Sequence, residues 1–345
     1  MSAIPPSLFV QVFLLSGLTA ALLTPIAIAL GKRLDLVAIP GGRRKHVGRV
    51  VRIGGLGLYP AFLVGALLPV WQNVPRQDAL EITRLTGVLI GMGIVWLVGF
   101  LDDIYDLPSW GQALGLLVAS GVAIAFKVFI EVFNSPIGNT QIRVDWYLML
   151  PITLVWVAGM AGTMNVLDGL DGLAAGVTAI ASAVLFLHML RLGQHTVSLL
   201  PLALLATCLG FLPYNMQPAR IFLGGGAYVL GFGLATLSIV SGAKVASALL
   251  VLSVPLLDVV WQVYSRWRRG QPIGLGDRGH LHFRLHDLGW PMRRVVWLYY
   301  VISCALGAVA LLASSRLLKL GVLLVAALLI VALFFLLSRQ KQSPR

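Results

Sequence analysis

Two short polar stretches in an otherwise apolar chain carry residue types that do chemistry. Asp102-Asp103, with Asp106, follows one apolar run, and Asn165-Val166-Leu167-Asp168-Gly169-Leu170-Asp171-Gly172 follows another. Carboxylates placed this way suit a divalent cation. Magnesium takes oxygen ligands, keeps several waters, and is usually held by one or two carboxylates together with a substrate's phosphates. The glycines beside Asp168 and Asp171 let backbone approach a ligand closely, and their three-residue spacing puts both carboxylates on one face if the segment begins a helix. A third stretch, Gly276-Asp277-Arg278-Gly279-His280-Leu281-His282-Phe283-Arg284, holds two imidazoles and two guanidiniums. Arginine forks phosphate, and histidine donates to it or shuttles a proton. A zinc site competes poorly, because Cys208 and Cys304 both lie in apolar runs and neither pairs with a loop ligand. Asp35 and Asp106 read as solvated caps at helix starts, and Arg266, Arg268 and Arg269 as headgroup contacts at the end of a span.

The elements that must position these groups are membrane helices. Hydrophobic residues make up 58% of the 345-residue chain and charged residues only 11%, with repeated apolar runs of spanning length. That composition excludes an ordinary soluble enzyme and leaves one compact transmembrane domain over residues 1–345. The run from Leu8 to Leu30 lacks the charged flank and cleavage site of a removable signal, so it is expected to be a true span. The runs predict an all-α integral membrane protein, a polytopic bundle of about eleven helices at roughly 7–31, 53–71, 83–101, 110–130, 146–162, 173–190, 197–213, 221–240, 243–263, 294–314 and 320–338.

Lys and Arg set the orientation. Lys32, Arg33, Arg43, Arg44, Lys45, Arg49 and Arg52 crowd the first loop, and Arg266, Arg268, Arg269, Arg278, Arg284, Arg293 and Arg294 crowd a later one. Both loops are cytoplasmic under the positive-inside rule, which puts the N-terminus outside and the C-terminus in the cytoplasm. Nine of the 13 acids (Asp35, Asp102, Asp103, Asp106, Asp168, Asp171, Asp258, Asp277 and Asp287) then fall on or near the cytoplasmic side. Acids contribute little to topology, so their clustering at helix mouths points to cation binding there. A secondary transporter would place ionisable groups near mid-span, whereas Lys127 and His188 lie toward helix ends and the acids cluster at the cytoplasmic mouths.

Taken in order, the polar motifs resemble those of the polyprenyl-phosphate N-acetylhexosamine-1-phosphate transferases, the membrane enzymes that start bacterial lipid-linked glycan synthesis. The resemblance covers about residues 30 to 295 and runs through Leu34-Asp35 to Pro40, Arg44-Lys45-His46, Gly54-Gly55-Leu56, Gly99-Phe100-Leu101-Asp102-Asp103, Asn165 to Leu173, Pro213-Tyr214-Asn215 with Pro218-Ala219-Arg220, and Asp277 to His282. The peptidoglycan branch, which transfers phospho-MurNAc-pentapeptide, carries three consecutive histidines. Here the loop Asp277-Arg278-Gly279-His280-Leu281-His282 resembles that of the branch that makes lipid-linked N-acetylglucosamine, with Phe283 where that branch's final histidine would be.

The resemblance implies transfer of a phospho-N-acetylhexosamine, most simply GlcNAc-1-phosphate, from a UDP-sugar to undecaprenyl phosphate, with release of UMP. It places the reaction on the cytoplasmic face of the plasma (inner) membrane. Asp102, Asp103, His280 and His282 are the implied catalytic residues. Lys45, His46, Asn165, Asn215, Arg220, Arg278 and Arg284 are the implied substrate contacts, and Asp102, Asp103, Asp168 and Asp171 the implied ligands of Mg²⁺, with Mn²⁺ as the alternative ion. General base and metal ligand are not separated among the acids. The expected partners are the lipid bilayer, undecaprenyl phosphate and a UDP-N-acetylhexosamine, with no nucleic acid among them. Small residues in several spans permit close packing within the chain or between two copies of a homodimer.

One departure stands out. After Ile221-Phe222-Leu223-Gly224 the family pattern reads Asp-x-Gly-Ser, its aspartate a magnesium ligand. This chain reads Gly225-Gly226-Ala227-Tyr228, one residue shorter, and no carboxylate occurs between Asp171 and Asp258. Three readings follow: the remaining acids suffice, the metal sits differently, or the chain is a non-catalytic homologue that binds a polyprenyl phosphate or UDP-sugar. The glycines also form a candidate nest whose backbone N–H groups would meet a phosphate.

Overall fold

Apolar runs broken chiefly by proline, glycine and a few charges fold as helices, because a backbone facing hydrocarbon must satisfy its own hydrogen bonds. The structure, a computed structural model, describes residues 4–38, 49–135, 140–240, 245–272 and 279–340. Lys45, His46 and Arg278 lie outside those residues. In chain order the helices are α1 (Pro6–Arg33), α2 (Gly55–Trp71), α3 (Glu81–Tyr105), α4 (Ser109–Ala125), α5 (Trp146–Leu167), α6 (Leu173–Arg191) and α7 (His195–Asn215). They continue with α8 (Gly226–Val240), α9 (Val245–Val251), α10 (Ser253–Arg268), α11 (Leu281–Asp287), α12 (Met292–Leu312) and α13 (Arg316–Gln340).

Seven of these are long and apolar enough to cross a membrane, or eight if the bent pair α9 and α10, which meet at 81°, counts as one span. The eleven spans expected therefore exceed what helix length establishes. The helices α2, α4 and α8 have 17, 17 and 15 residues. At about 1.5 Å per residue these rise roughly 22–26 Å, less than a hydrocarbon core of about 30 Å. The run at 221–240 begins its helix only at Gly226, because residues 221–223 form backbone hydrogen bonds with the segment before α2 instead.

Helices α6, α7 and α8 form the centre. They are apolar on every side, as buried helices are. Every residue of α8 is buried, and 72% of the apolar window of α7 is buried against 11% of that of α13 at the periphery. Three of their hydroxyls are satisfied within the helix: Thr178, Thr207 and Thr236 each donate to the carbonyl four residues earlier, at 2.8 Å. Around this centre, α1 packs on α7 and α2, α3 on α4 and α8, α5 on α8, and α12 on α6 and α9.

Two small antiparallel hairpins interrupt the all-helical plan. Strands β1 (Val37–Ala38) and β2 (Val50–Val51) pair with Val37 opposite Val51. Strands β3 (Val132–Asn134) and β4 (Gln141–Arg143) pair with Phe133 opposite Ile142. The first hairpin matters for the site, because Val51 also bridges in parallel to Ile221 and thereby ties the first loop to the segment that leads into α8.

Candidate active site

Asp102 and Asp103 occupy the last turn of α3, where the helix stops at Asp106. That residue adopts a left-handed backbone (φ 49°) and accepts a 2.9 Å hydrogen bond from Arg52. Asp35, also left-handed (φ 57°), follows α1 and pairs with Arg49. Both acids therefore sit at helix ends rather than at the helix starts expected of them. A short polar side chain tolerates that backbone conformation where most residues do not.

Asp103 is buried, and the N–H of Gly225 donates to both of its carboxylate oxygens, at 3.1 and 3.0 Å. Gly225 immediately precedes α8, so the positive end of that helix faces the carboxylate. Glycine is required for the approach. Gly224 is left-handed (φ 55°), and a Cβ on it would lie 1.9 Å from the carbonyl oxygen of Arg52 and 2.4 Å from Oδ1 of Asp103. A Cβ on Gly225 would lie 2.2 Å from the backbone of Gly99, and one on Gly226 2.5 Å from that of Gly55. The same loop is laced to the first-loop segment: Phe222 N–H donates to Val51 at 2.8 Å, Gly54 N–H to Phe222 at 2.9 Å and Gly55 N–H to Leu223 at 2.9 Å. In place of a charged side chain, the triple-glycine segment thus offers a backbone surface closed on Asp103.

Asp102 is half-buried and takes its hydrogen bond from a side chain. Gln112 Nε2 donates to Asp102 Oδ1 and to the carbonyl of Leu107, both at 2.9 Å. Gln112 Oε1 accepts from the hydroxyl of Tyr228 at 2.7 Å, and Tyr228 in turn accepts from Asn165 Nδ2 at 2.9 Å. Asn165 lies in the last turn of α5, which runs on past the expected end at 162.

The loop 168–172 is a turn between α5 and α6 rather than the start of a helix: Asp168 ends α5, and the left-handed Gly172 (φ 80°) precedes α6. The spacing of Asp168 and Asp171 is therefore that of a turn, not of one helix face. The turn is pinned from three sides. Ala219 N–H donates to Asp171 Oδ2 at 3.1 Å, Gly172 N–H donates to Asn215 Oδ1 at 3.1 Å, and the hydroxyl of Tyr300 donates to the Gly172 carbonyl at 2.6 Å. Asn215 is buried and also donates to the Ile221 carbonyl at 2.9 Å, so it organises the loop rather than offering itself to a ligand. Arg220 is exposed. A cavity of about 280 Å³ opens beside Asp171, lined also by Met216, Gln217, Met292, Arg293, Val296 and Trp297.

The histidine segment packs onto the turn from the other side. Asp258 of α10 is 2% exposed and accepts the N–H of Leu281 on both oxygens at 3.2 Å. His280 Nδ1 stands 3.3 Å from its Oδ2 and His282 Nδ1 3.9 Å. The two imidazoles stack with 12° between their planes. His282 is fully buried and rests against Gly169, where a Cβ would come within 2.5 Å of its Nε2. As placed, it shapes the Asp168–Asp171 turn and shows no surface to a substrate. Arg284 Nε donates to the Gly279 carbonyl at 2.6 Å, and its guanidinium lies 5.3 Å from the ring centre of Phe334.

The structure thus gathers Asp102, Asp103 and Asn165 around the start of α8. It gathers Asp168, Asp171, Asn215, His280 and His282 around the next turn, and Asn165 and Asp168, one helical turn apart on α5, join the two groups. Sequence reasoning gave no role to Gln112 or Tyr228 and counted Asp258 only among the acids on the cytoplasmic side. A carboxylate in an apolar run was the available signal for Asp258, while Gln112 and Tyr228 carried none. Among the described residues no three of His, Cys, Asp and Glu come together as a metal-holding group. The oxygen donor set fits a magnesium ion that takes one or two carboxylates from the protein and the rest of its shell from water and a substrate's phosphates. One or two of the partly exposed Asp102, Asp168 and Asp171 would serve.

The sequence that forms these helix ends and polar turns is similar to known proteins. The model of glycosyl transferase family 4 matches residues 85–242, which span α3 to α8. A protein of Bacillus subtilis (strain 168) named "Probable undecaprenyl-phosphate N-acetylglucosaminyl 1-phosphate transferase" is 29% identical over 93% of this chain and 89% of its own length. The decaprenyl-phosphate N-acetylglucosaminephosphotransferase of Mycobacterium leprae (strain TN) is 31% identical over 83% of this chain and 80% of its own. The phospho-N-acetylmuramoyl-pentapeptide-transferase of Staphylococcus aureus (strain JH9) is 30% identical over 75% of this chain and 83% of its own. Identity sustained over so much of both chains means that this protein belongs to glycosyl transferase family 4, the polyprenyl-phosphate N-acetylhexosamine-1-phosphate transferases.

Proposed function

We propose that the protein transfers GlcNAc-1-phosphate from UDP-GlcNAc to a polyprenyl phosphate, undecaprenyl phosphate in the simplest case, at the cytoplasmic face of the plasma membrane. An oxygen of the acceptor phosphate attacks the β-phosphorus of the UDP-sugar. The bond from that phosphorus to the oxygen bridging it to the α-phosphorus breaks, UMP leaves, and the sugar stays on the new lipid diphosphate. This would be a first step of lipid-linked cell-surface glycan synthesis. The observation that carries the reading is the convergence of the Asp102, Asp168 and His280 segments, far apart in sequence, at neighbouring helix ends. The GlcNAc-1-phosphate transferase names of two relatives, and a His280-Leu281-His282 loop in place of three consecutive histidines, favour that sugar over a MurNAc-pentapeptide.

A phosphate monoester has its second pKa near 6 and is largely ionised at neutral pH, so attack needs little general-base help. The protein's task is to hold two anions together and stabilise the charge that moves to UMP. One or two of Asp102, Asp168 and Asp171 would hold magnesium, which when bound supplies charge neutralisation for the diphosphate. The cavity beside Asp171 brings an indole, two methionines and a guanidinium next to a carboxylate, a lining suited to an aromatic, anionic nucleotide.

A second reading, a binding protein without catalysis, is favoured by the backbone that stands where the family carries an aspartate. One assay separates the two: release of UMP by purified protein in detergent with undecaprenyl phosphate and UDP-GlcNAc, with and without Mg²⁺, beside Asp102→Asn. Metal-dependent release that falls at least about 100-fold in the variant is expected. Binding of either substrate without any release would establish the non-catalytic reading.

A further inference from the structure

We propose that Tyr228 and Gln112 are positioning residues that hold the carboxylate of Asp102 for the reaction, and that the start of α8 thereby steadies both acids of the pair with uncharged donors. The inference rests on the phosphosugar transfer argued above. It starts from a hydrogen-bonded chain across four helices, Asn165 on α5, Tyr228 on α8, Gln112 on α4 and Asp102 on α3, with successive separations of 2.9, 2.7 and 2.9 Å.

The direction of the chain is forced. Gln112 Nε2 has two acceptors, Asp102 Oδ1 and the Leu107 carbonyl, so the amide oxygen must face Tyr228. The tyrosine must then donate its single proton to that oxygen, which leaves its own lone pairs for the Asn165 amide. Every donor consequently points toward the carboxylate. Hydrogen bonds aligned this way polarise one another, and the last one is charge-assisted. Tyr228 is 3% exposed, so water does not replace its hydroxyl.

The anchor is rigid for the reason that shaped the loop before it. Gly225 and Gly226 seat α8 directly on the backbones of Gly99 and Gly55, and Tyr228 comes three residues after the amide that caps Asp103. One helix start therefore serves both acids, Asp103 through a backbone N–H and Asp102 through Tyr228 and Gln112. A neutral donor orients a carboxylate without itself cancelling the charge.

Tyr228→Phe removes one oxygen and keeps the ring that packs. The expected result is a fall of about tenfold in kcat for UMP release, the effect of losing the alignment of one reacting group, with KM for both substrates within about twofold. The melting temperature should stay within about 2 °C, and the loss should add nothing to that of Gln112→Ala, since both variants cut the same chain. An unchanged kcat, a loss that tracks a lowered melting temperature, or losses that multiply in the double variant would each overturn the proposal. A second measurement does not depend on turnover. The carboxylate band of Asp102, isolated as the infrared difference between the protein and Asp102→Asn at one pH, should shift in Tyr228→Phe, and an unmoved band would also overturn it. If the unaltered protein releases no UMP, the transfer reading fails, and the band alone decides whether Tyr228 holds Asp102.

Discussion

The two ends of the helix bundle treat their acids in opposite ways. At the end away from the site, two acids are neutralised by cations. Glu81, 3% exposed, accepts from Arg76 at 2.6 Å and from the Thr196 hydroxyl at 2.8 Å, and Asp78 pairs with Arg84 at 2.6 Å. At the site end the acids that matter take uncharged donors: Asp103 from Gly225 N–H, Asp102 from Gln112, Asp171 from Ala219 N–H and Asp258 from Leu281 N–H. Two of the cations there, Arg52 and Arg49, go to the exposed Asp106 and Asp35. A carboxylate answered by a guanidinium is finished chemically and serves as a staple. A carboxylate answered by amides is oriented but still anionic, which is what binding a cation beside a diphosphate requires.

That contrast is open to test from either end. The largest effect is expected at Glu81: Glu81→Gln leaves the Arg76 guanidinium with a neutral partner in a buried place. It should lower stability by about 3 kcal/mol, read as an earlier unfolding transition in detergent, while UMP release per folded molecule stays within about twofold. A loss of activity without a loss of stability would erase the division between the ends.

Asp258→Asn is expected to do the reverse. It keeps the shape and one acceptor for Leu281 N–H, yet withdraws the charge 3.3 Å from His280. Activity should drop about 50-fold, roughly 2.3 kcal/mol, with the unfolding transition shifted by less than that of Glu81→Gln. Asp258→Glu, which restores the charge, should recover part of the rate. Equal activity in Asp258→Asn and the unaltered protein would show that the imidazoles need no carboxylate.

Smallest is Arg84→Ala. Its pair with Asp78 is substantially exposed, and exposed pairs contribute at most about 0.5 kcal/mol. Neither melting temperature nor UMP release should change measurably. A shift as large as that of Glu81→Gln would mean that burial is not what separates the two ion pairs.

Much of the site could be read before any coordinates. Asp102-Asp103 and the Asn165 to Asp171 motif stand out because polar residues in so apolar a chain are costly unless they are used. The departure after Gly224 was equally plain from the motif order. The glycines suggest backbone N–H groups aimed at a phosphate, but the structure turns that of Gly225 onto Asp103, a partner that no local pattern names. His282 shows the limit differently. An imidazole in a basic, polar segment reads as a ligand contact, yet tertiary packing buries it against Gly169 and gives it a shaping role. Asp168 and Asp171 fit a helical spacing on paper, but the left-handed Gly172 makes them a turn. Helix lengths behave likewise: the apolar run before Val240 says span, while pairing of residues 221–223 with the first loop shortens α8 to 15 residues.

By itself the sequence determined that the chain lies in a membrane, that its helices follow its apolar runs, and that its acids gather between them. These properties are local: they depend on transfer free energies and on a backbone that must bond to itself. Only the tertiary structure decided which acids meet, which are covered, and what answers each one. Asp103 meets Gly225 across 122 residues and Asp102 reaches Tyr228 through Gln112. Such contacts depend on the crossing of α3 and α8 at glycines that let two backbones touch, a geometry that no run of neighbouring residues encodes.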